Sequence, residues 1–180
     1  MTRDERGPLA ERPPRRRYAW QLGEFRGSGY SKGRGIVWQA LWFATQHLVF
    51  AKWWCPAALR VAILRAFGAN VGTGVLIRHR VRVHWPWKLT IGDHCWIGEG
   101  GWLLNLEEIV LRDNVCVSQD AFLCTGGHDP RSPSFEYDNG SISVGASSWI
   151  AARAIVLRGT DVPGGAVVPA GAVVSRRHFW

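Results

Sequence analysis

From Val71 onward, aliphatic residues recur at every sixth position: Val71, Ile77, Val83; Ile91, Ile97, Leu103; Leu111, Val117, Leu123; Val144, Ile150, Val156; Val162, Val168, Val174. Four residues after most of them stands a small side chain, among them Cys95, Gly101, Ala121, Gly127, Ala154 and Ala172, with Trp87 and Glu107 as exceptions just before breaks in the repeat. A six-residue period is neither the helical 3.6 nor the strand 2. It predicts a parallel β-helix of hexapeptide repeats, in which three short strands and their corners close one triangular coil. Fifteen periods give five coils, stacked about 4.8 Å apart. The aliphatic and the small residue both point into a narrow prism; Cys95, in a small slot, reads as packing.

The breaks in the period are informative. Two extra residues separate Val83 from Ile91, two separate Leu103 from Leu111, and fifteen separate Leu123 from Val144. Each break follows the third repeat of a coil, so all three extrusions are expected on one edge of the prism, where a solenoid tolerates insertions. That edge is the expected place for a ligand site.

Ahead of the repeats the pattern differs. Ile36 to Trp54 is apolar around nearly its whole helical circumference, interrupted by Gln39, Thr45, Gln46 and His47. It is short for a membrane-spanning helix. Two readings stay open: a helix packed on the end of the domain, or a monotopic helix with Trp38, Trp42, Trp53 and Trp54 at headgroup level. A second helix is expected from Pro56, at its first position, to Gly68, just past its end. Residues 1–35 are rich in Arg, Gly and Pro and read as a mobile tail. The expected organisation is a basic tail over 1–35, a helical segment over 36–68, a β-helix over 69–176 with an extruded loop over 129–143, and a short tail over 177–180.

Charge and cysteine content narrow the function classes. The formal net charge is +8, of which nine Lys/Arg against four acids in residues 1–35 supply +5 and the body only +3. A basic tail on a nearly balanced body argues against a nucleic-acid partner. The four cysteines show no CxxC spacing, and the N-terminus lacks the apolar core of a secretory signal. A reduced, cytoplasmic setting is expected, peripheral to the plasma membrane if residues 36–54 touch lipid.

The motifs IGDHCWIGEG, LRDNVCVSQDAFLCTGGHD and VGASSWIAARAIVLRGTDVPGGAVVPAGAVVSR resemble those of the hexapeptide-repeat acyltransferases. Together with LRAFGANVGTGVLIRHRVRVHWPWKLTIGDHCWIGE they are most similar to acetyltransferases of extracellular-polysaccharide (colanic-acid type) biosynthesis, over roughly residues 36–176. The resemblance implies an all-β, left-handed parallel β-helix of about five coils behind an N-terminal helical segment. It also implies a homotrimer with active sites between subunits, acetyl coenzyme A as co-substrate, a sugar or glycoconjugate acceptor, and no metal.

By the same resemblance, His128, at the base of the extruded loop, is the catalytic base. An alcohol is a weak nucleophile at neutral pH, and imidazole can take its proton without remaining protonated. Asp129 either supports the imidazole or starts a turn with Pro130. Glu136 is a second carboxylate for the acceptor or a solvated loop charge. Asn105, in the insertion of the coil below, either binds a sugar hydroxyl or satisfies the corner backbone. Galactoside-type relatives carry an asparagine where this chain has Gly98, so that contact is absent or replaced. For the cofactor the resemblance points to Ala152 and Ala170, which leave the backbone open to the pantetheine, and to Ser175 and Arg176 near the phosphates. Arg153 and Arg158 either add positive potential or are solvated, and Trp149 reads as inter-subunit packing. Within the same fold, antibiotics, natural products or serine are alternative acceptors, and a non-catalytic scaffold is a further alternative. A γ-type carbonic anhydrase would need three converging histidines, but His79, His84 and His94 occupy different repeat positions.

Overall fold

The corner of each repeat is made by the residue three places after the inward aliphatic. In the computed structural model, which describes residues 19–176, the residue at that place turns with φ between +54° and +73° at all eleven uninterrupted corners. Five of them are glycines (Gly74, Gly100, Gly159, Gly165, Gly171), which adopt this left-handed backbone freely. The other six are Arg80, His94, Asn114, Asp120, Ser147 and Arg153, of which only Asn and Asp favour it intrinsically. The ladder outweighs the local preference: the backbone N–H of His94, Asn114, Asp120, Ser147 and Arg153 each donates to a carbonyl of the adjacent coil at 2.8–2.9 Å.

The result is a left-handed parallel β-helix of five coils with three five-stranded parallel sheets. The first sheet holds Asn70–Val71, Leu89–Ile91, Ile109–Leu111, Ile142–Val144 and Asp161–Val162. The second holds Leu76–Ile77, Trp96–Ile97, Cys116–Val117, Trp149–Ile150 and Val167–Val168, and the third Arg82–Val83, Trp102–Leu104, Phe122–Cys124, Ile155–Leu157 and Val173–Val174. In-register pairing stacks the inward aliphatics, Ile77 with Ile97, Val117 and Ile150, for example. Fourteen of the fifteen are buried, and Val174, on the last coil, is half-buried. After each insertion the first sheet resumes two residues early, at Leu89, Ile109 and Ile142, all buried. Ile142 and Ser143 therefore belong to a strand, and the extruded loop ends before them.

All three insertions leave from the corner between the third and first sheets, as the breaks in the repeat require. Outward side chains differ by face. The first sheet presents Asn70, Thr90, Val110, Ser143 and Asp161, a largely polar row. The second presents Leu76, Trp96, Cys116, Trp149 and Val167, and the third Arg82, Trp102, Phe122, Ile155 and Val173.

Helix α1 (Ile36–Thr45), a π-helical turn (Gln46–Phe50) and helix α2 (Ala57–Ala66) close the N-terminal end of the prism. Pro56 is the N-cap of α2, one place earlier than the sequence suggests, and Gly68 follows the helix at φ +96°. An open coil would leave strand N–H and C=O groups unpaired. Here side chains take the place of the missing coil. Gln46 Oε1 accepts from Val83 N at 2.7 Å and Trp42 Nε1 donates to Val83 O at 3.1 Å. Arg60 Nη1 donates to Ile77 O at 3.2 Å, and Arg65 Nε and Nη2 donate to Val71 O. Arg60 also donates to Phe50 O and Lys52 O, which explains an arginine only 4% exposed.

The reading of residues 1–35 as a mobile tail fails for its second half. Residues 19–35 lie along the extruded loop and α1, held by side-chain and backbone hydrogen bonds described below; residues 1–18 and 177–180 lie outside the described residues.

Candidate active site

Phe122–Cys124 ends in the run Thr125-Gly126-Gly127-His128. Thr125 is buried and its hydroxyl ties the coil below, donating to Leu104 O and accepting from Glu107 N, both at 2.9 Å. Gly127 leaves room for the Arg158 side chain: a Cβ there would stand 2.6 Å from Arg158 Cδ, and the arginine would have to move. His128 is the first side chain clear of the prism. It pairs with Tyr137 in an antiparallel bridge, so the loop returns as a narrow hairpin, with Asp129 N on Glu136 O and Asp138 N on Gly127 O.

Three features fix the imidazole. Nδ1 lies 2.7 Å from Phe135 O. A carbonyl can only accept, so Nδ1 carries the proton and the Nε2 lone pair of the neutral ring stays available. Phe135 and Tyr137 stack on the ring, with centroids 4.4 and 5.2 Å away, and Phe25 meets it edge-on at 5.6 Å. Phe135 itself sits at φ +54°, a costly conformation for an aromatic residue, in the turn that aims its carbonyl at the ring.

The two loop carboxylates do other work. Asp129 Oδ1 accepts from Arg131 N at 2.9 Å and Arg131 Nε at 3.1 Å, and this pairing holds its pKa below the ordinary value. Asp129 is thus the turn former rather than the orienter of His128. Glu136 accepts from Arg26 N at 3.0 Å and from Ser28 N and Oγ at 3.1 and 3.2 Å; the hydrogen bond from Arg26 is the main cause of its lowered pKa. Its carboxylate latches the N-terminal strap to the loop. Trp20 Nε1 on Pro130 O and Gln21 N on Pro133 O extend the same contact.

Asn105 is fully buried. Its Oδ1 accepts from His84 N and Trp85 N, and its Nδ2 donates to Trp85 O and Lys88 O. All four hydrogen-bonding positions of the amide are filled, so the expectation that it binds a sugar hydroxyl is replaced by its alternative, a staple for the corner backbone.

The expected cofactor residues fall on two edges. Ala152 and Ala170 follow the second sheet in adjacent coils, with Gly171 N donating to Ala152 O at 2.9 Å, and form a column without bulk. Ser175 and Arg176 follow the third sheet, on the His128 edge, Arg176 passing over Gly159. Arg158, expected as potential or solvated charge, pairs with Asp138 beside Gly127. Among the described residues no three His, Cys, Asp or Glu side chains gather as a metal site; His79 pairs with Glu99 and His84 packs on Phe43 and Trp85.

Beyond Tyr137 lies an apolar cavity of 440 Å³, lined in part by Tyr30, Phe43, His84, Trp85 and Leu106. The Tyr30 hydroxyl accepts from Trp85 Nε1. Sequence reasoning missed Phe25, Tyr30, Phe135 and Tyr137. A signal was present: Trp20, Phe25 and Tyr30 recur at five-residue intervals in a segment that a disordered chain would leave poor in aromatics.

No protein-family model matches the chain. It is 39% identical over 145 residues, covering 79% of this chain and 78% of the relative, to WcaF of Escherichia coli (strain K12), named as a colanic acid biosynthesis acetyltransferase. Among solved structures it is similar to a hexapeptide-repeat-containing acetyltransferase complexed with acetyl coenzyme A from Vibrio cholerae O1 biovar eltor, at TM-score 0.70 and 18% identity over 80% of this chain and 79% of that one. It is also similar to a maltose O-acetyltransferase from Clostridium difficile 630, at TM-score 0.59 and 18% identity over 79% and 83%.

Proposed function

Because the chain belongs to the hexapeptide-repeat acetyltransferases of the colanic acid biosynthesis type, we propose that it transfers the acetyl group of acetyl coenzyme A to a hydroxyl of a sugar or glycoconjugate, with His128 as general base. The observation that supports this reading is the Nδ1 contact with Phe135 O, which leaves the Nε2 lone pair of the neutral ring available for a proton. In direct transfer Nε2 takes the hydroxyl proton as the oxygen bonds to the thioester carbonyl carbon. The carbon–sulfur bond then breaks, and the imidazolium returns the proton to the departing thiolate. No acyl-enzyme is needed. While protonated, the ring is stabilised by the Phe135 carbonyl on one side and by the aromatic faces of Phe135 and Tyr137.

The Ala152–Ala170 column suits a pantetheine lying on the backbone, and Ser175 with Arg176 suits the phosphates. The aromatic cavity beyond Tyr137 suits the apolar face of a pyranose or of the group next to the acetylated one. Direct transfer predicts that His128→Ala lowers kcat by about a hundredfold or more, with the β-helix still folded and an unchanged KM for acetyl coenzyme A. Coenzyme A release over a panel of saccharide acceptors measures this, and near-normal turnover in the variant would remove His128 as the base.

A further inference from the structure

Between Glu24 and Asp93 the chain contains no acidic residue, yet ten lysines and arginines. This stretch folds as the N-terminal end of the molecule: the end of the strap, α1, the π-helical turn, α2 and the first coil. The cap uses only one side of the segment formed by α1 and the π-helical turn. Gln39, Trp42, Gln46 and Phe50 are buried, whereas Val37, Leu41 and Leu48, at the opposite helical angle, are 78%, 49% and 67% exposed. Trp53 and Trp54, in the turn before α2, add indoles 80% and 51% exposed. Exposed Lys52 is next to Trp53, exposed Lys32 and Arg34 precede α1, and Arg78 shares one recess with Trp53.

We propose that this end of the prism docks on an anionic bilayer surface. Charge complementarity selects the occupant: the exposed apolar side chains and indoles stand with exposed Lys32, Arg34, Lys52 and Arg78, while Arg60 is buried and Arg80 and Lys88 are paired with Glu99 and Glu107 from outside the stretch. These four exposed cations beside an apolar face match lipid headgroups over an acyl boundary. A membrane-spanning role does not fit, since no helix among the described residues is long and apolar enough to cross. Ile36, exposed at the start of α1, lines the cavity beyond Tyr137 together with Gln39, Ala40 and Phe43, so that cavity lies on the flank of the helix and not on its exposed apolar face. The inference stands apart from the acyl-transfer reading, and either can fail alone.

The test is co-sedimentation of the full-length protein with vesicles of phosphatidylcholine alone or mixed with phosphatidylglycerol. The mixed vesicles should bind about tenfold more protein, and raised salt should remove most of the difference. Leu48→Gln with Trp53→Gln should cut binding about tenfold at unchanged melting temperature. Lys52→Glu should weaken it by charge alone, with no effect at high salt. Equal binding to both lipids, no binding, or wild-type binding by the Leu48/Trp53 double variant would overturn the proposal. So would a fall in solution mass of that double variant without vesicle binding by the wild type, which would assign the face to a second copy of the chain.

Discussion

Asn105 and Thr125 occupy the same place in successive coils, two residues after the inward aliphatic of the third sheet, and both turn inward to hold an insertion corner. Edge position alone therefore does not make a residue a ligand. What counts is whether its polar atoms are already used. Replacing Asn105 with Ala leaves His84 N, Trp85 N and two carbonyls without that partner in a buried corner, a loss of about 2–5 kcal/mol. The expected outcome is a lower urea midpoint, with kcat and acceptor KM of the folded fraction unchanged. A raised acceptor KM at unchanged stability would restore the ligand role. The sequence revealed Asn105 as an edge residue; its fourfold hydrogen bonding depends on how Trp85 to Lys88 turn, which no repeat rule encodes. His128 was legible because Gly127 ends the inward pattern just before it, whereas its orienting carbonyl on Phe135 was not, since backbone carbonyls carry no residue signature.

At the level of elements, the period of six was sufficient for the three sheets and the common edge of the insertions. It was silent on how the first coil is closed and on the strap over the loop. Those depend on single long-range pairings, such as Arg60 to Ile77 O and Glu136 to Arg26 N, that have no period. His84 reports on this packing. Wedged between Phe43 and Trp85, it has its pKa lowered to about 4, chiefly by burial and further by Lys32. Its folded pKa lies below the unfolded value of about 6.5. The neutral ring's contribution is therefore complete above that value and declines as pH falls toward about 4, because the unfolded chain takes the proton first. Urea titrations at pH 7.5, 6 and 4.5 should show the stability gap between wild type and His84→Gln narrowing across that window. A constant gap would mean that the ring is protonated as readily in the folded protein as in the unfolded chain.

For the whole molecule, the outward rows make one prism look incomplete. Two of its three faces carry Trp96, Trp149, Val167, Trp102, Phe122 and Val173, and the first three with Val173 are substantially exposed. These two faces meet at the edge that carries Ala152 and Ala170, while His128 stands on the next edge. We propose a ring of three prisms that covers the apolar faces and draws each site from the His128 edge of one copy and the Ala152 edge of its neighbour. Three copies of a 20.1 kDa chain should then run at about 60 kDa in solution. The arrangement has a sharper consequence. His128→Ala and Ala152→Trp should each be inactive as pure proteins, one lacking the base and the other blocking the donor surface. Co-expressed under two different tags and purified through both, every mixed ring contains one interface where an intact His128 faces an intact Ala152. Such rings should recover about one third of wild-type turnover. If each site were drawn from one prism, every site in a mixed ring would carry a defect, and the doubly purified protein would stay inactive.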